Sequence, residues 1–163
     1  MRNNVCSQRL DPTSRRLRLP RDQEVIINDT VGFIRALPPD LLSAFRATLE
    51  EISGSSLLIH AVDVSNPRWT QQVQSVKRIL VELKLADIPV ILALNKADLL
   101  DDEELATAVR RAQAEGSEVV AISAIREASL SPLLERAGAI LARNLAAQSA
   151  DDERYRSPVS LIA

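Results

Sequence analysis

The chain has 163 residues, 46% of them apolar, and a net charge of −2 at neutral pH. That length favours one domain with a real core, and the apolar fraction argues against disorder. The charge balance makes no general case for DNA or membrane affinity, the apolar runs are too short to span a bilayer, and the lone Cys6 leaves no internal disulfide and fits a reducing cytoplasm.

Arg16 to Leu19 and Glu24 to Asn28 read as a hairpin turning at Pro20-Arg21-Asp22-Gln23. A helix follows from Asp40, a plausible cap, to about Ser53, with Leu41, Leu42, Phe45, Leu49 and Ile52 at helical spacing. Ser55 to Asp63 is a buried strand in which His60 reads as a core histidine and Asp63 as an ordinary turn residue. Asn66-Pro67 opens the next helix, whose apolar face carries Val73, Val76, Ile79, Leu80 and Leu83, with Trp69 packing on it. Val90 to Leu94 is a strand. Asp101-Asp102 starts a helix that Gly116 ends, Val119 to Ile122 is the last strand, and Leu130 to Leu145 is the closing helix. Residues 1–147 make the domain, and 148–163 read as a polar, frayed tail. Strands alternating with helices imply a mostly parallel sheet with right-handed crossovers, in which ligands bind at the carboxyl ends of the strands.

Three strand ends carry chemistry. Glu24 to Asn28 runs into Asp29-Thr30-Val31-Gly32-Phe33, where a carboxylate suits the water shell of Mg2+ and a glycine lets a backbone N–H approach a phosphate. Val90 to Leu94 runs into Asn95-Lys96-Ala97-Asp98. An aspartate there can accept two hydrogen bonds from the ring N–H and exocyclic amine of guanine, a pairing adenine cannot offer. The lysine stem can lie along the base, and the asparagine can bond a ring nitrogen and tie neighbouring loops. Val119 to Ile122 runs into Ser123-Ala124, small residues whose backbone N–H groups could reach the base carbonyl. Taken singly, each is also ordinary turn chemistry; their order along the chain is what carries weight.

That order resembles the third, fourth and fifth sequence elements of a Ras-like GTPase. Leu10-Asp11-Pro12-Thr13-Ser14-Arg15-Arg16-Leu17-Arg18-Leu19-Pro20, Asp29 to Arg35, Leu37-Pro38 and Ala44-Phe45-Arg46-Ala47-Thr48-Leu49-Glu50-Glu51 are similar to the switch segments and following helix of the HflX family, ribosome-associated GTPases of the Obg–HflX group. The similarity covers about residues 10 to 145. It implies a Ras-like P-loop NTPase fold, a three-layer α/β sandwich that binds GTP or GDP with Mg2+, and a large ribosomal subunit as partner. It further implies nucleotide contacts from Asp29, Thr30, Val31, Gly32, Phe33, Asn95, Lys96, Asp98, Ser123 and Ala124, with Asp29 reaching Mg2+ through water. Arg9 stands where the family carries the metal-side threonine, leaving Thr13 as a substitute. Phe33 occupies the place where many GTPases hold a water-orienting glutamine, so no catalytic base is evident. The arginines at positions 2, 9, 15, 16, 18 and 21 read as a solvated hairpin face, or, by the resemblance, as a contact for ribosomal RNA phosphate.

The four glycines, Gly32, Gly54, Gly116 and Gly138, form no G-x-x-x-x-G-K-[ST] loop. The Ras-like first strand, phosphate loop and first helix are therefore missing from this sequence. That strand belongs between those ending at Asp29 and Asp63, so the sheet must close over a gap or gain a partner strand, and the chain is expected to be marginal or aggregation-prone alone. GTP hydrolysis is expected to be impaired. The alternative is a non-hydrolysing binding module, or a nonfunctional fragment, that keeps only the base pocket or the ribosome-facing surface.

Overall fold

The computed structural model describes residues 13–20, 23–29, 52–148 and 158–162. Two strands, β1 (Thr13–Leu19) and β2 (Gln23–Asp29), pair antiparallel, Arg16 opposite Ile26 and Leu19 opposite Gln23. This is the expected hairpin, longer by a few residues at its open end. Leu17 and Leu19 alternate inward, while Arg16 and Arg18 are exposed on the outer strand. Charged side chains there discourage another chain from adding to the sheet edge.

The next elements alternate as the sequence predicts: β3 (Leu57–Asp63), α1 (Trp69–Glu82), β4 (Val90–Asn95), α2 (Asp102–Ala114), β5 (Glu118–Ala121) and α3 (Ser131–Gln148). Asn66 does not cap α1 itself. Its side chain accepts from the Arg68 N–H in a turn just ahead of the helix, and Arg68 takes the cap position without a side-chain bond. The end of α1 is closed by Lys84 in the left-handed region (φ 59°). The Lys84 N–H reaches the Val81 carbonyl, and the Leu85 N–H reaches the Leu80 carbonyl, at 3.0 and 2.8 Å. Leu80 and Leu85 bury together across that turn. Helix α2 opens with a reciprocal capping box between Asp101 and Glu104 and ends before Gly116 (φ +75°).

Beyond α3, Pro158–Ile162 forms a sixth strand, β6. It does not fray. The sheet order is β1-β2-β6-β3-β4-β5, and β6 runs parallel to both neighbours. Val159 sits between Ile27 and Leu57, and Leu161 between Asp29 and Ile59. The expectation of a polar tail thus fails at Val159-Ser160-Leu161-Ile162, because composition across residues 148–163 hid a short strand-forming run at its end. That run lies in the gap where the absent first strand was expected, so the sheet has gained a partner strand.

One face of the sheet is covered by α3, with Leu19, Val25, Leu57, Ile59, Ile91 and Val159 packed against Leu133, Ala137, Ile140 and Leu141. Gly138 lets α3 lie close to the hairpin: a Cβ there would stand 3.4 Å from Gln23 Oε1. The other face carries α2 against Leu92 and Leu94, and α1 against Leu58 and Ile162. This is the expected three-layer α/β sandwich. Trp69 packs in the core with Val62 and Val73, and His60 is buried on β3. No described helix is long and apolar enough to cross a membrane.

Candidate functional site

Strands β3, β4 and β5 end side by side because they are parallel and in register. Asp63 pairs with Asn95, and Leu94 with Ala121. Beyond the ladder, the backbone keeps the loops stitched together: Val64 N–H to Asn95 O, Ile122 N–H to Leu94 O, and Ala97 N–H to Ile122 O, all within 3.0 Å. Asn95 adds a side-chain knot. Its Oδ1 accepts from the Lys96 N–H at 2.8 Å and from the Ala124 N–H at 3.0 Å. The asparagine therefore ties the β4 loop to the β5 loop, as its position in the sequence suggested.

Lys96 adopts the left-handed region (φ 63°), a conformation that costs a residue with a Cβ about 1 kcal/mol and persists where neighbours hold it. The turn sends the lysine stem back across β3, where Nζ meets Asp63 Oδ2 at 2.7 Å. The same carboxylate accepts from the Ser65 hydroxyl at 2.6 Å and the Ser65 N–H at 3.1 Å. These bonds, Lys96 first and Ser65 next, hold the Asp63 carboxyl below its ordinary value. Asp63 is thus more than a turn residue: it anchors the lysine of the neighbouring loop. The signal was available, since a strand-ending Asp one strand over from a strand-ending Asn-Lys must lie beside it when the strands are parallel.

A short 3-10 turn, Ala97–Leu99, then presents Asp98. Its carboxyl is held below the ordinary value, chiefly by the Ser123 hydroxyl and further by Arg126 and Lys96. Ser123 is nearly inaccessible, yet its Oγ has no formed hydrogen bond. The neighbouring hydroxyl favours the charged form of the carboxylate. The Ser123 N–H is taken by Ser129 Oγ at 2.9 Å, and the Ala124 N–H by Asn95. The two backbone donors expected to face a base carbonyl are therefore engaged within the protein.

Asp29 closes β2 at the same sheet edge, three strands from Asn95, or roughly 14 Å at ordinary strand spacing. The register sets it level with Ile59, four residues short of Asp63, so the edge descends toward it. Thr13 faces Asp29 across the hairpin. Thr30, Val31, Gly32 and Phe33 lie outside the described residues. Among the described residues, no group of three or more His, Cys, Asp and Glu could hold a metal.

No family model matches the chain. It is 48% identical over 92 residues to the GTPase HflX of Caldanaerobacter subterraneus, covering 56% of this chain and 22% of that protein. It is 39% identical over 125 residues to the GTPase HflX of Magnetococcus marinus, covering 77% of this chain and 28% of the relative. The Escherichia coli GTPase HflX is 43% identical over 95 residues, covering 58% of this chain and 22% of that protein. This chain belongs to the HflX family. It spans about a quarter of the length of the curated relatives it matches. A crystal structure of a mutation variant of SsGBP aligns with a TM-score of 0.70 at 28% identity, covering 87% of this chain and 50% of that one.

Proposed function

We propose that this chain is the guanine-reading part of an HflX-like GTPase domain, that the intact family architecture hydrolyses GTP and engages the large ribosomal subunit, and that hydrolysis is impaired in this chain because its sequence holds no phosphate loop. The observation that carries the reading is the half-buried Asp98 carboxylate, presented just past the end of β4 on a loop that Asn95 knots to the β5 loop. An ionised Asp98 accepts the ring N–H and amine of guanine together. The Lys96 stem, fixed at its tip by Asp63, offers an apolar surface to one side of the base. Mg2+, where bound, would screen the phosphates; Asp29 and Thr13 are the residues proposed to hold it, supported here by their backbone placement opposite one another. The exposed Arg15, Arg16 and Arg18 on β1 suit contact with ribosomal RNA phosphate.

The test is equilibrium binding of fluorescent GDP to the purified chain. Base contacts without a phosphate loop correspond to a dissociation constant of about a millimolar. Asp98→Asn should weaken GDP at least tenfold while improving xanthosine diphosphate, which carries a carbonyl where guanine has its amine. Equal GDP binding by the variant and the parent chain would defeat the assignment. Micromolar binding that needs Mg2+ would show that phosphates are also held and would overturn the impairment.

A further inference from the structure

The sheet's two halves are hydrogen-bonded to each other, among the described residues, through β6 alone. On one side stands the β1–β2 hairpin, on the other β3, β4 and β5. Between them Pro158–Ile162 pairs with Ile26 to Asp29 and with Leu57 to His60. Both flanks are parallel ladders, which connect strands distant along the chain. The strand is deeply buried: Ser160 and Ile162 are at 0% exposure and Val159 at 2%. Its side chains split between the two faces. Val159 joins the α3 core, Ile162 joins the α1 core, and Ser160 Oγ meets Ser55 Oγ at 2.6 Å. Yet this central strand comes last, after nine residues that follow α3.

We propose that the space between β2 and β3 is a strand-acceptor site, filled by this chain's own segment Val159-Ser160-Leu161-Ile162, and able to take the same segment from a second copy. Three features define what it accepts: an extended backbone running parallel to β2 and β3, alternating apolar side chains for the two cores, and a small hydroxyl residue at the position facing Ser55. An empty site would leave the inner N–H and C=O groups of both β2 and β3 unpaired in an apolar setting, which is costly. The intervening nine residues tether the strand within about 30 Å of the end of α3. That tether gives the chain's own segment a high effective concentration, so it outcompetes free copies.

Two measurements on the full chain test this. In native-state hydrogen exchange, the amides of Ser160 to Ile162 should be protected to the same degree as those of Leu92 to Leu94; exchange at the rate of a free tail would overturn the proposal. In the second, a labelled peptide with the sequence of residues 156–163 is titrated against the wild-type chain and against Ser160→Pro, whose own strand has lost a central donor. The peptide should bind the variant at least tenfold more tightly than the wild type, and a peptide carrying the same proline should bind neither. Equal binding to both chains would overturn the acceptor site. A variant that neither folds alone nor is restored by the peptide would overturn it as well, since an acceptor must take its strand back.

Discussion

The two halves of the sheet are built by different rules. β3, β4 and β5 follow one another in sequence, each returned by a helix that covers the face it crosses, so the loops that meet at their ends come from neighbouring stretches of chain. The hairpin half joins them through a strand more than a hundred residues further on. Short-range topology ties the Asn95–Asp98 loop into its own neighbourhood, with Asn95 bonded to Ala124, Asp63 to Lys96 and Ser123 to Ser129. Long-range topology ties the placement of Asp29 to β6, because among the described residues β6 alone sets the register between Asp29 and Ile59. The candidate site is thus a locally bonded corner around Asn95 and Asp98 beside the Asp29 edge, whose placement is set from afar.

The sharpest way to probe this contrast is to make the same deletion in each half. Ile162→Ala and Ile91→Ala both empty a fully buried position, and each should cost about 4 kcal/mol in urea unfolding. A loss under about 0.5 kcal/mol for Ile162→Ala alone would mean that β6 contributes nothing and the two halves are separately stable. Next in size is a pH effect confined to β3. Burial first, and the Lys77 charge second, lower His60 from its ordinary 6.5 to about 4. Between those values the unfolded chain binds a proton that the folded chain refuses, so stability falls as pH drops from 6.5 toward 4, by about 3 kcal/mol in all. His60→Leu should flatten that part of the stability–pH curve, leaving the carboxylate contribution below it.

Much of the β3–β5 half was legible in the sequence. Val90 to Leu94 is an uninterrupted apolar run, and Asn95-Lys96-Ala97-Asp98 has a definite chemical pattern behind it. The capping box at Asp101 and the stop at Gly116 are local signals that local physics obeys. Asp63 was undervalued because its partner, Lys96, lies on another strand, and pairing across strands appears only once register is known. β6 was missed for the same reason at greater range. Five residues after a charged stretch carry too little periodicity to announce a strand, and what makes them one is the vacancy between β2 and β3. The need for such a strand could be read from topology; its source could not.

Two smaller changes sharpen the comparison within the β3–β5 half. Asn95→Ala removes the acceptor shared by two backbone N–H groups and should cost about 2 kcal/mol, with faster hydrogen exchange at Ala124 and unchanged protection in β6. Lys84→Gly, at the end of α1, relieves a left-handed backbone without touching the core and should add about 1 kcal/mol in thermal unfolding.

The knot at Asn95 also sets a polarity. Two N–H groups converge on its amide oxygen, which fixes the orientation of the group and leaves its nitrogen without a partner among the described residues. Toward a ligand this side chain can therefore give hydrogen bonds but not receive them. A lone pair on a purine ring nitrogen satisfies it, and both guanine and adenine carry one there. Asn95 would then vet the shape of the ring system, while Asp98, which only receives, would tell one purine from the other. Asn95→Asp would keep both inward bonds and reverse the outward sign, so that a purine ring nitrogen facing it would meet a second acceptor instead of a donor.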